Sequence, residues 1–146
     1  MKNVSKSVLI WYSPEEMFAL VTDISRYPEF LPWCDHSKVM VADSSGMTAE
    51  VGISFGGVRQ SFVTRNDHLP GRQVDMRLLS GPFSRLDGGW HFVPLGDGSQ
   101  RACRVELKLQ YGFDSRALAA VVGPVFDKIA GSLVDAFVKR AEQVYG

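Results

Sequence analysis

The feature that most constrains the fold is a series of alternating segments joined by short connections, between residues 38 and 113. Apolar and polar side chains alternate within these segments, as in strands that bury one face and expose the other. Each connection is too short for a crossover helix, so successive strands must pair antiparallel in one sheet. The turn signals between them are Asp43-Ser44-Ser45-Gly46, Gly56-Gly57, Leu69-Pro70-Gly71, Gly81-Pro82 and Gly96-Asp97-Gly98.

Two short helices are predicted between the first strand and the rest of the sheet. Residues 3–11 fit a strand, and Ser13 then has the character of a helix N-cap. Glu16, three residues later, can hydrogen-bond back to the cap, which completes a capping box. Residues 25–31 fit a second short helix, which Pro32 ends because proline cannot continue the helical hydrogen-bond ladder.

The chain closes with a long predicted helix at residues 115–145. Its apolar side chains recur at helical spacing, so one side of it should be buried. Gly123-Pro124 should kink or restart it. The whole order therefore predicts an α+β fold in which a seven-stranded antiparallel sheet wraps around the C-terminal helix. The apolar stripe comprises Leu118, Val122, Val125, Phe126, Ile129, Leu133, Ala136, Phe137 and Val144.

The overall charge gives no attraction to nucleic acid or to a membrane surface. Lysine plus arginine and aspartate plus glutamate each number 16, so the formal net charge is zero. The distribution is uneven, with a net charge of −5 over residues 13–50 and +3 over residues 59–104. The arginine-rich middle segment is compatible with RNA phosphates, although a solvated outer sheet face is the simpler interpretation.

The apolar segments and the cysteines indicate in which cellular compartment the protein is found. No segment reads as the roughly 20 apolar residues of a membrane span, and the apolar run after Lys2 and Lys6 is too short for a signal peptide. Cys34 and Cys103 are the two cysteines, and they form no paired motif. We therefore expect a cytoplasmic protein without a membrane span.

Four motifs in order carry a resemblance to a known family. They are Tyr27-Pro28-Glu29-Phe30-Leu31-Pro32-Trp33-Cys34, Gly81-Pro82-Phe83, Gly89-Trp90-His91-Phe92 and Gly123-Pro124-Val125-Phe126. With them the chain resembles the coenzyme Q-binding/RatA family of the START-like superfamily, over essentially its whole length. The resemblance implies one helix-grip domain spanning residues 1–146, with an apolar tunnel between the sheet and the final helix.

The resemblance implies three functions. The first is binding and transport of a lipophilic small molecule, ubiquinone above all, in support of respiration, with that molecule as cargo and no cofactor. The alternative is a toxin that binds the large ribosomal subunit and blocks subunit association. A weaker alternative is a polyketide cyclase/dehydrase. The expected partners are thus a hydrophobic molecule or the ribosome, and DNA is not among them.

The candidate binding residues are apolar side chains expected on the concave side of the sheet and the helix facing it. Such a lining binds an isoprenoid by removing apolar area from water, with the headgroup near the mouth and the tail inside. For any single residue, simple core filling is the stronger interpretation. The predicted lining is Trp33, Phe62, Met76, Leu78, Trp90, Phe92, Leu107, Leu109, Phe126 and Ile129.

The case for catalysis from sequence is thin. The three histidines lie outside any metal-ligand spacing. Asp87 and His91 share a strand face but lie about 13 Å apart along it, too far for an acid–base pair. Cys34-Asp35-His36 has no supporting partner nearby for a nucleophile. We therefore predict no catalytic residue and no metal site.

Overall fold

The computed structural model describes all 146 residues, from Met1 to Gly146. Seven strands form one antiparallel sheet with the order β1-β7-β6-β5-β4-β3-β2, which confirms the predicted α+β helix-grip fold. The strands are β1 (Lys2–Ile10), β2 (Cys34–Asp43), β3 (Gly46–Phe55), β4 (Val58–Leu69), β5 (Gln73–Ser80), β6 (Phe83–Pro94) and β7 (Cys103–Phe113). The helices are α1 (Pro14–Thr22), a 3₁₀ helix (Ile24–Glu29) and α2 (Arg116–Tyr145).

The capping box at the start of α1 is confirmed. The Ser13 hydroxyl accepts from the Glu16 backbone N–H at 3.1 Å, and the Glu16 carboxylate accepts from the Ser13 N–H at 2.9 Å. The second short helix is 3₁₀ rather than α and ends two residues before the predicted limit. Pro28 lies inside it, and a proline there leaves a carbonyl without its N–H partner, which favours a short tight turn.

Helix α2 continues through Pro124 without interruption, so the predicted restart does not occur. Pro124 lies on the exposed side of the helix, where water can satisfy the carbonyl that loses its N–H partner. By length and composition α2 could also cross a membrane, which the sequence interpretation overlooked. Here its apolar side packs into the core of the domain through residues such as Val122, Phe126 and Ile129.

The aromatic side chains under α2 fill much of the space that a tunnel would need. Phe126 lies with its ring centroid 4.6 Å from that of Tyr111, 4.9 Å from Phe83 and 6.4 Å from Phe62, each in a T-shaped arrangement. Such edge-to-face pairs are favourable beyond their burial. The result is a packed core beneath the N-terminal half of α2, and the open space between the helix and the sheet is a cavity of about 90 Å³.

Gly88 is required by a close approach of two strands. Its φ is +144°, and a Cβ there would collide with the carbonyl oxygen of Lys108 on β7. The β6–β7 pairing runs in register from Arg85 to Pro94, and its one irregularity lies between Phe83 and Arg85. The two glycines thus permit a close approach of the neighbouring strands that a side chain at either position would block.

Candidate ligand cavity and outer cleft

A small, partly open cavity of about 90 Å³ lies between the concave face of the sheet and α2. Its wall comes from the 3₁₀ helix, from β3 to β7 and from the middle of α2. Thirteen of its sixteen lining residues are hydrophobic. The lining comprises Ile24, Tyr27, Trp33, Val51, Phe62, Thr64, Asn66, Met76, Leu86, Asp87, Trp90, Leu109, Phe126, Ile129, Leu133 and Phe137.

Seven of the ten residues predicted to line a tunnel surround this cavity, and three do not. The seven are Trp33, Phe62, Met76, Trp90, Leu109, Phe126 and Ile129. Phe92 and Leu107 are fully buried elsewhere in the packed core, and Leu78 is half-buried towards the end of β5. Strand alternation places the predicted residues of β4 to β7 on the concave face of the sheet. The position of α2 then decides which of them border open space.

The cavity has one polar stretch of wall, on β4. Thr64 and Asn66 are 6% and 4% exposed, although their inward-facing neighbours on other strands are apolar. The Thr64 hydroxyl donates to the Asn66 amide oxygen Oδ1 at 2.8 Å. The amide nitrogen Nδ2 of Asn66 donates to no protein acceptor and is not sealed from the cavity. His68 follows on the same face, and its Nε2 is buried without a partner.

Sequence reasoning missed this polar stretch. Segment 64–68 alternates Thr64, Asn66 and His68 with Arg65 and Asp67, so neither face has an apolar pattern of its own. Phe62 could have given the signal, because it was predicted to line the tunnel and period two places Thr64 and Asn66 on the same face. The pairing of Asn66 with Met76 across β4–β5 agrees, because Met76 also borders the cavity.

A wider cleft of about 430 Å³ opens on the outer side of Trp33. Its floor is apolar and its rim carries charged side chains. Lys128 and Lys139 on the rim make no ion pair, whereas Arg140 binds Glu29 at 2.9 Å and lies 4.9 Å from the centre of the Phe30 ring. The cleft is lined by Phe30, Leu31, Pro32, Trp33, Phe55, Lys128, Ile129, Ser132, Asp135, Ala136, Lys139, Arg140 and Gln143.

Trp33 and Ile129 border both the cleft and the cavity. They are 8% and 3% exposed, so the two side chains form the partition between the two spaces. Trp33 lies between the 3₁₀ helix and β2 as part of the buried core. The two spaces on either side of it together have the size of an ordinary ligand pocket, roughly 300–1,000 Å³.

The arginines of the middle segment are largely neutralised by carboxylates of the same chain. Arg65 contacts Asp43 and Asp67 at 3.0 and 3.1 Å, and Arg77 contacts Asp67 at 2.9 Å. The side-chain hydrogen bond from Arg65 is the main reason that the pKa of Asp43 lies far below its usual range. This sheet face is therefore a network of ion pairs and not a free cationic surface. The other paired arginines are Arg72, Arg85, Arg101 and Arg104.

The segment Cys34-Asp35-His36 does not have the geometry of a nucleophile. The Cys34 thiol is buried and donates to the His36 carbonyl, and burial raises its pKa to about 11. Because the thiolate is the reactive form, this thiol is inert at neutral pH. The His36 ring lies between Asp35 at 2.7 Å and Glu50 at 3.2 Å, on the outer face of the sheet.

A sheet that grips a long C-terminal helix over a small apolar cavity is the architecture of the START-like proteins. The chain belongs to the family described as polyketide cyclase/dehydrase and lipid transport, whose model matches residues 10–138. A solved structure, the 18 kDa protein CC1736 from Caulobacter crescentus, has a TM-score of 0.75 and 34% identity. That comparison covers all of this chain and 99% of the other.

Two curated relatives carry different names. The ribosome association toxin RatA of Vibrio cholerae is 44% identical over 146 residues, which is all of this chain and 99% of that protein. The mitochondrial coenzyme Q-binding protein COQ10 homolog B of Xenopus laevis is 29% identical over 143 residues. That match covers 97% of this chain and 59% of the relative. The chain is thus similar to RatA over its full length and more distantly to a protein named for coenzyme Q binding.

Proposed function

We propose that this protein associates with the ribosome, on the large subunit, and blocks subunit association. The observation that carries the proposal is the 44% identity, end to end, with a protein named for ribosome association. The small volume of the cavity, about 90 Å³, also favours this function over carriage of a long isoprenoid as the main role. Ribosome association would place the protein in the cytoplasm.

The outer cleft offers the best surface for such contact. Lys128 and Lys139 lie free of ion pairs on its rim, and the Phe55 side chain beside them is 42% exposed. Free cations next to an exposed aromatic ring suit a nucleic acid backbone and its unstacked bases. The arginines of the sheet suit it less, because their charge is already matched by carboxylates.

Co-sedimentation with purified large ribosomal subunits tests this proposal. We expect the wild type to co-sediment, and the double variant Lys128→Gln/Lys139→Gln to bind less tightly with a smaller salt dependence. Lys108→Gln is the matched control, since Lys108 is an exposed lysine on the opposite face of the sheet. Absence of wild-type binding would contradict the proposed function. Equal weakening by Lys108→Gln would contradict the proposal that the outer cleft is the contact surface.

We propose small-molecule binding as a second function, because a mostly apolar cavity lies between the sheet and α2. Removing an apolar ligand from water into it is favourable by about 25 cal/mol per Å². Organic extraction of the purified protein followed by mass spectrometry should recover a lipophilic compound at a defined ratio. Leu133→Trp, which adds a ring at the cavity wall on α2, should reduce recovery without unfolding the domain.

We propose that neither function is catalytic. The ionisable side chains at the cavity are Tyr27 and Asp87. The Tyr27 hydroxyl donates to the Val21 carbonyl, and burial holds its pKa well above the usual range. Asp87 pairs with Arg85, so no acid–base couple faces the cavity. Incubation with a linear polyketide substrate should give no cyclised product above background.

A further inference from the structure

The polar stretch on β4 is unusual for its surroundings. An amide in an apolar wall is stable when its donor finds a partner, and Asn66 Nδ2 has none within the protein although it is not sealed from the cavity. Thr64 and Asn66 are more than nine-tenths buried and border a cavity whose other walls are nearly all apolar. Core packing alone therefore gives no reason for these two residue types.

The orientation of the Asn66 amide defines what it can bind. Its oxygen accepts from the Thr64 hydroxyl at 2.8 Å, which turns the Nδ2 donor away from that partner. A ligand that pairs with this nitrogen must offer a hydrogen-bond acceptor. The acceptor must also be uncharged, because no cationic side chain lines the cavity and a buried unpaired carboxylate is very unfavourable.

The remaining walls define the shape of that ligand. Aromatic rings surround the cavity, which favours a flat ring stacked among them. At about 90 Å³ the cavity is smaller than the roughly 150 Å³ known to admit benzene in another protein, so the Trp33 partition must move on binding. The rest of the molecule would then lie in the outer cleft. The rings belong to Tyr27, Trp33, Phe62, Trp90, Phe126 and Phe137.

We infer that Asn66, held by Thr64, selects the ligand of this cavity by donating a hydrogen bond to a carbonyl oxygen of an apolar ring compound. The ring enters first, past Trp33, so its carbonyl lies deep inside and any apolar substituent trails towards the cleft. This orientation is the reverse of the headgroup-at-mouth arrangement expected from the sequence. The inference rests on the proposed small-molecule binding.

Two probes of similar size separate hydrogen bonding from simple hydrophobic binding. 2-Methyl-1,4-naphthoquinone carries two carbonyl groups and 2-methylnaphthalene carries none. Affinities can be measured by NMR titration, because the indole N–H signals of Trp33 and Trp90 report on the cavity wall and that of exposed Trp11 serves as a reference. We expect the wild type to bind the quinone about tenfold more tightly than the hydrocarbon.

The decisive variant is Asn66→Leu. It should lower quinone affinity about tenfold and leave hydrocarbon affinity unchanged. The infrared carbonyl stretch of the bound quinone should lie at lower wavenumber in the wild type than in the variant. Asn3→Leu is the matched control, because it makes the same change on the exposed face of β1 and should alter neither affinity.

The outcomes distinguish the inference from the function on which it rests. If the wild type binds both probes equally and Leu133→Trp abolishes both, the role of Asn66 is overturned and small-molecule binding stands. If neither probe binds the wild type, both are overturned. If Asn66→Leu loses hydrocarbon binding as well, the residue shapes the cavity and does not select the carbonyl.

Discussion

The two halves of the sheet meet α2 in different ways. In the half of the concave face around residues 103–107 of β7, Cys103, Val105 and Leu107 are at most 1% exposed and do not line the cavity. In the half centred on β4, the same concave face carries Thr64 and Asn66 and borders the cavity, together with Leu86 and Trp90 of β6 and Leu109 of β7. We call these the packed half and the open half. The packed half holds the domain together, and the open half is where a ligand can be accommodated.

Matched leucine truncations should give the largest difference between the two halves. Leu107→Ala in the packed half should destabilise the domain by about 3 kcal/mol, because the fully buried side chain leaves a new cavity. Leu133→Ala at the existing cavity should cost about 1 kcal/mol, because the site is already partly open. Urea unfolding monitored by circular dichroism measures both. Equal losses would mean that the open half is as tightly packed as the other.

A double-mutant cycle sharpens the description of the open half. Thr64→Val alone should cost about 1–2 kcal/mol, since it leaves the Asn66 amide oxygen buried without its donor. The double variant Thr64→Val/Asn66→Leu should recover most of that loss, because both polar partners are replaced by apolar groups of similar shape. A double variant as unstable as the sum of its single changes would show that Thr64 and Asn66 are not coupled, which would contradict this description.

Glu16 ties α1 to the packed half, and its loss should have a smaller effect. It binds Arg101, just before β7, at 2.7 Å, and mainly for that reason its pKa is lowered to about 2. A lowered pKa stabilises the fold above the unfolded value of about 4.5, and this contribution is lost as the pH falls towards 2.

Glu16→Gln should therefore cost about 0.5–1 kcal/mol at pH 7, because Arg101 is 55% exposed and the pair is screened by water. Glutamine keeps the capping hydrogen bond, so α1 itself should persist. The variant should also show a flatter loss of stability between pH 4.5 and pH 2. A variant with the acid sensitivity of the wild type would contradict this account.

His68 should give the smallest effect, in the open half. Burial, and then the nearby charge of Arg65, lowers the pKa of its imidazole below the usual 6.5. The folded state thus binds this proton less readily than the unfolded state, and stability should fall as the pH drops below about 6.5. His68→Phe should reduce this decline in thermal scans between pH 7.5 and pH 5.5. An unchanged pH profile would contradict the attribution of this stability loss to His68.

The sequence alone determined the elements and their pairing. Alternation and turn residues predicted six of the strands and their antiparallel order, and Ser13 with Glu16 predicted the start of α1. These signals are local, because each depends on residues at most a few positions apart. A restart of the helix at Pro124, one of the two outcomes predicted there, was wrong for the same reason, since the effect of a proline depends on whether that side of the helix faces water.

Only the tertiary structure decided where the open space lies. Leu107 and Leu109 are two residues apart on the same face of β7, yet only Leu109 borders the cavity. That difference arises from the position of α2 over the sheet, a contact between segments far apart in the chain. Asn66 shares the inward face with Phe62 by alternation, but only the position of α2 leaves open space beside it. Alternation along one strand determines which side chains share a face, whereas long-range packing determines what lies opposite that face.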